Sequence, residues 1–169
     1  FATMKGVSED VVEIFLNLKQ VRFKKSVDHE VANEKIILSL KNKTEFTAGM
    51  IGEGTHSFQI MNPDLLICTL DSSAKMDIEL TIGKGRGYVP AEDNKPKDAP
   101  LGYIPIDAIY TPIKNVKYTI ENTRVEQRTD FEKLIMEVST DGTIHPEEAV
   151  KQASRILIQH LMIITDENI

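Results

Sequence analysis

Two cations set among three glycines, Gly83-Lys84-Gly85-Arg86-Gly87-Tyr88, form the stretch whose residue types and spacing come nearest to an anion site. Glycine lets backbone N–H groups approach a phosphate, and Lys84 and Arg86 would supply counter-charge, provided that the loop opens a helix. Here it runs into Tyr88-Val89-Pro90, and its spacing matches neither the dinucleotide fingerprint nor the P-loop. Two readings stand: a strand exit whose glycines admit close backbone packing, and, as the alternative, a small nucleotide-binding enzyme built on Gly83 to Gly87.

The other reactive residue types do not converge. His29, His56, His145 and His160 are scattered, with no i, i+4 pair and no cysteine set beside them, so no metal is expected. Cys68 closes the apolar run Leu65-Leu66-Ile67-Cys68, which predicts a buried thiol in a reducing compartment. There is no Gly-x-Ser-x-Gly elbow, and the carboxylates spread over solvated faces. Neither a catalytic residue nor a cofactor is predicted.

Composition bounds the class. A chain of 169 residues that is 41% hydrophobic and 27% charged has enough apolar material for a core, one domain or two small ones. A net charge of -6 disfavours nucleic acid or an anionic membrane as the main partner, since phosphate binding requires clustered Lys and Arg. No run approaches the length of a membrane span and no signal segment opens the chain, so a cytoplasmic protein is expected. The start, Phe1-Ala2-Thr3-Met4, suggests a piece of something longer.

Periodicity then places the elements. Ser8 reads as the N-cap of a helix whose Val11, Ile14, Phe15 and Leu18 keep helical spacing up to Lys19. Residues 21–25 and 35–40 read as strands joined by a turn at Asp28, His29 and Glu30, residues 44–51 as a third strand, and Gly49, Gly52 and Gly54 as loop. A short strand at 58–61 follows, and 65–70 and 75–82 read as a hairpin across Asp71-Ser72-Ser73-Ala74. The charged, proline-rich stretch 92–100 reads as a solvated loop, and 104–110 as an extended apolar segment. Two long alternating strands run through Val116, Tyr118 and Ile120 and through Leu134, Met136 and Val138, and the long helix from Pro146 to Ile164 packs on them.

That helix carries more apolar surface than one sheet can cover. Proline at the first position and Glu147 and Glu148 in the first turn mark its start. Val150, Ala153, Leu157, Leu161 and Ile164 form a stripe, which Ile156, Ile158, Met162 and Ile163 widen until the last turns are apolar almost all round, with His160 among them. A second surface has to close over a helix about 30 Å long, from this chain or another.

Four motifs carry a resemblance. Gly6-Val7-Ser8-Glu9-Asp10 with Leu16-Asn17-Leu18-Lys19, then Gly85-Arg86-Gly87-Tyr88-Val89-Pro90-Ala91, then Val125-Glu126-Gln127-Arg128-Thr129-Asp130, then Asp141-Gly142-Thr143-Ile144-His145-Pro146-Glu147-Glu148-Ala149 occur in this order. In that order and at those separations, the chain resembles the N-terminal domain of the alpha subunit of bacterial DNA-directed RNA polymerase. By composition alone the 122–130 segment would be read as a salt-bridged strand end.

The resemblance implies an α+β protein of antiparallel sheets. Residues 1–112 would be an insert domain with a short helix near its start, and 113–169 the later half of a dimerisation domain with the long helix packed on a sheet. It implies a non-catalytic assembly subunit that pairs with a second alpha subunit and then receives the beta and beta-prime subunits. Family contacts to beta-prime match Lys19, Ile106 and Lys133. The dimer helix matches the long helix, whose interface residues would be Val150, Ala153, Ile156, Leu157, His160, Leu161 and Ile164. The family's opening strand and first helix would precede Phe1, and its DNA-binding domain would follow Ile169. This chain is therefore expected not to bind promoter DNA directly, and its dimer to be altered or lost. His145 stands where the family commonly has aspartate, which weakens the cap without changing a role.

Overall fold

The computed structural model describes residues 4–27, 31, 33–125 and 128–165, so the turn expected at residues 28–30 and the motif residues Glu126 and Gln127 lie outside it. The chain divides into two compact units, Phe1–Thr111 and Pro112–Ile169.

In the first unit, helix α1 (Val11–Leu18) starts from a reciprocal cap: Glu13 N donates to Asp10 Oδ1 at 2.8 Å, and Asp10 N to Glu13 Oε2 at 3.2 Å. Asp10, not Ser8, is thus the N-cap. Ser8 N is committed to the Thr69 carbonyl, and the Glu9 carboxylate takes Thr69 N at 2.7 Å and Thr69 Oγ1 at 3.0 Å, holding the segment before the helix against a strand. The strands are β1 (Phe23–Lys25), β2 (Glu34–Lys41), β3 (Glu45–Thr47), β4 (Phe58–Ile60), β5 (Leu66–Thr69), β6 (Lys75–Ile82), β7 (Tyr88–Val89) and β8 (Ala108–Ile109), with helix α2 (Ala48–Glu53) between β3 and β4.

Pairing is antiparallel and mostly non-local: β1 with β4, β2 with β6, β3 with β5, and β7 with β8. The expected hairpin of 65–70 with 75–82 is not formed. β6 instead matches β2 along eight residues, from Glu34 opposite Ile82 to Lys41 opposite Lys75, a longer ladder than four-residue β5 could offer. Asp71 N donates to the Gly6 carbonyl and Ala74 N to the Asp71 carbonyl, which turns the chain away from β5.

Residues 44–51 are strand only over β3, and Gly49 and Gly52 lie in α2 rather than in a loop. The turn before β5 satisfies the first N–H groups of α2: Ala48 N donates to the Leu65 carbonyl and Gly49 N to that of Pro63, both at 2.9 Å. A Cβ on Gly52 would come 3.0 Å from Ile60 Cγ1, so the missing side chain lets the helix lie against β4. Phe46, Ile36, Ile51, Ile67 and Cys68 are fully buried around this junction and form the centre of the core.

The second unit is a hairpin of β9 (Ile113–Val125) and β10 (Arg128–Thr140) followed by helix α3 (Pro146–Thr165). Register places Val116 opposite Val138, Tyr118 opposite Met136 and Ile120 opposite Leu134, so one face is apolar across three successive pairs. The turn into α3 is built by Asp141, whose Oδ1 accepts from Thr143 N at 3.0 Å and from the Thr143 hydroxyl, with Gly142 at φ +93°. The His145 carbonyl accepts from Ala149 N, which puts His145 at the N-cap position. Lys151 pairs with Glu147 at 2.8 Å one turn on. α3 adjoins β10, and no residue of α3 is buried.

Candidate functional site

The glycine-rich loop is a strand exit. It leads from β6 into β7, so no helix dipole or first-turn N–H array faces an anion there, and Lys84 and Arg86 are both exposed. Its glycines serve packing: a Cβ on Gly83 would come 2.5 Å from Asn33 Oδ1, and one on Gly85 would come 2.5 Å from the Tyr110 ring. The nucleotide-enzyme alternative is not supported. Among the described residues, no three His, Cys, Asp or Glu side chains are grouped as a metal site requires, and no helix is long and apolar enough to cross a membrane.

Two of the three residues assigned to beta-prime contact come to one place. Lys19 is the C-cap of α1, where a cation complements the dipole, and its Nζ lies 2.7 Å from Asp107 Oδ1. Asp107 follows Ile106, a half-buried residue whose carbonyl accepts from Asn94 Nδ2 at 2.9 Å. The second Asp107 oxygen takes the Tyr88 hydroxyl at 3.2 Å. The Lys19 ammonium is the main reason that the Asp107 carboxyl sits below the usual carboxylate range; partial burial acts the other way. Tyr88 is shifted upward, by burial first and then by the bond to Asp107. Asp107 and Tyr88 were invisible as partners of Lys19 in the sequence, because nothing local brings residues so far apart together.

Lys133 lies on β10 in the second unit, exposed and opposite Glu121. The predicted dimer residues all share α3. Val150, Ala153, Ile156, Leu157, His160, Leu161 and Ile164 are exposed, Leu157 at 64% and Ile164 at 79%. His160 Nδ1 lies 2.8 Å from the Ile156 carbonyl on its own helix. Tyr118, Ile120, Leu134 and Met136 on the hairpin are likewise exposed, so the apolar surface of this unit extends beyond the helix.

Residues 1–111, well over half of the chain, match the family described as RNA polymerase Rpb3/RpoA insert domain. The chain belongs to that family. It is also similar to curated proteins named DNA-directed RNA polymerase subunit alpha. One from Cytophaga hutchinsonii is 62% identical over 99% of this chain and 50% of its own length. One from Bacteroides thetaiotaomicron is 56% identical over 100% of this chain and 51% of its own, and one from Chlorobium chlorochromatii 48% identical over 98% and 50%. The chain thus spans about half the length of the curated relatives it matches, and the likeness runs through α3 as well as through the Rpb3/RpoA insert domain.

Proposed function

We propose that this chain is a non-catalytic assembly part of a bacterial DNA-directed RNA polymerase alpha subunit, working in the cytoplasm. In this reading residues 1–112 are the insert domain and 113–169 the later half of the dimerisation domain. A second alpha subunit covers α3, and the beta and beta-prime subunits are received on mixed polar surfaces that include Lys19, Ile106 and Lys133. Promoter DNA is not bound by this part of the protein.

The observation that carries the proposal is a 20-residue helix with no buried residue, holding Val150, Ile156, Leu157, Leu161 and Ile164 in the open. Apolar area on that scale marks a surface that is covered in the assembled protein, and the assembly reading assigns that cover to a second alpha subunit. The site at Lys133 is tested by reconstituting the complete alpha subunit with beta and beta-prime. Lys133→Ala is expected to weaken beta-prime recruitment while the alpha dimer and the beta complex form as in the wild type. Undiminished beta-prime recruitment would remove Lys133 from the site.

A further inference from the structure

Lys19 is an odd residue to meet a partner directly. A lysine that reaches outward keeps its ammonium in water, whereas this side chain is only 26% exposed and its Nζ is spent on Asp107 at 2.7 Å. Its carboxylate partner stands at the entry to β8, beside Ile106. The ribbon of β7 and β8 is two residue pairs long, Tyr88 with Ile109 and Val89 with Ala108, which is far below what holds itself together in water. Tyr88 and Ile109 are 58% and 47% exposed, so burial fixes the ribbon weakly. Polar ties have to do more of it. Tyr110 N and Thr111 N both donate to the Gly87 carbonyl and close the ribbon on itself, Asn94 Nδ2 holds the Ile106 carbonyl, and Lys19 fastens Asp107 to the end of α1.

We propose that Lys19 serves the docking surface as a positioning residue: its ammonium holds Asp107, and through it the 103–109 segment that presents Ile106 to the large subunit. Asp107 and Tyr88 thereby join the site, Asp107 as the group through which Lys19 acts and Tyr88 as the second donor that orients the carboxylate. The inference rests on the assembly role proposed above and deepens it. It differs from direct contact in one consequence: what matters is the pair, not the charge at position 19.

The test compares the complete alpha subunit carrying Lys19→Ala, Asp107→Ala, Lys19→Arg or the double substitution Lys19→Ala with Asp107→Ala, each measured for binding to the beta-prime subunit in the presence of beta. Hydrogen exchange at the Ala108 and Ile109 amides gives a local readout. The two alanine variants are expected to bind on the order of threefold to tenfold more weakly and to exchange faster at those amides, as a coupled, partly buried pair predicts. Lys19→Arg is expected to bind within about twofold of the wild type, and the double alanine variant no more weakly than either single one. If Lys19→Ala weakens binding while Asp107→Ala does not, or the losses of the two alanine variants add in the double one, Lys19 touches the partner itself: the positioning role is wrong and the docking site stands. If neither alanine variant changes binding, although both fold and dimerise, the docking site fails and the positioning role with it.

Discussion

Gly85 lies against the ring of Tyr110, so closely that a Cβ at position 85 would come 2.5 Å from Cδ2 and Cε2 and 2.8 Å from Cγ. The ring cannot swing clear of a contact so near its own base without moving the strand exit. Gly85→Ala is therefore expected to lower stability by about 1–3 kcal/mol, the usual range for forcing an extra group into a packed site, read as a fall in the urea midpoint at unchanged slope. An alanine variant as stable as the wild type would show that the contact tolerates more than the geometry allows.

Cys68 is fully buried, and that burial, reinforced by the negative charge of Glu9, pushes its thiol up to about 11. At neutral pH the thiolate is scarce and has no path to reagent. An aromatic disulfide reagent is expected to leave Cys68 unmodified in the native protein and to titrate one thiol after denaturation. Rapid modification under native conditions would mean that the β3–β5 core opens readily.

Stability should fall on acidification, and part of that fall should belong to Asp107. Its carboxyl is held low chiefly by Lys19, so its contribution is present above the unfolded value and is lost as the pH drops through the lower, folded one. Glu34 follows the same sign: burial alone would raise it, but bonds from the Thr55 hydroxyl at 2.8 Å, from His56 N at 3.2 Å and from Ser57 outweigh that. Urea midpoints between neutral pH and the carboxylate range are expected to drop less steeply in Asp107→Asn than in the wild type. Equal acid limbs would show that the Lys19 pair carries no net stability.

What the sequence disclosed depended on whether the governing contact was local. The start of α3 was legible because Pro146, Glu147 and Glu148 report on their own helix end, and β9 and β10 because apolar residues alternate through Val116, Tyr118 and Ile120 and through Leu134, Met136 and Val138. Gly49 and Gly52 misled because glycine signals a break unless something presses on the helix; here that something is Pro63 and Ile60, brought there by the fold. The same applies to Asp71-Ser72-Ser73-Ala74, which looked like a hairpin turn until β2 claimed β6 along its whole length. Ser8 yields the cap to Asp10 for a local reason, the reciprocal bonds between Asp10 and Glu13 three residues on, which Ser8 has no partner to match. At the candidate site, Lys19 and Ile106 came from family likeness. Asp107, the chain neighbour of Ile106 and the ion-pair partner of Lys19, is joined to α1 only by the fold.

The most direct measurement of the central claim is the mass of the complete subunit in solution, by sedimentation velocity, with and without Leu157→Asp. Leu157 is 64% exposed on α3, so an aspartate there disturbs no packing among the described residues and burdens whatever surface covers the helix in the complete subunit. The wild type is predicted to sediment as a dimer and Leu157→Asp as a folded monomer, with a thermal midpoint lowered by the lost association. A wild-type monomer, or a variant that remains as dimeric as the parent, would contradict the assignment of α3 to the interface between alpha subunits.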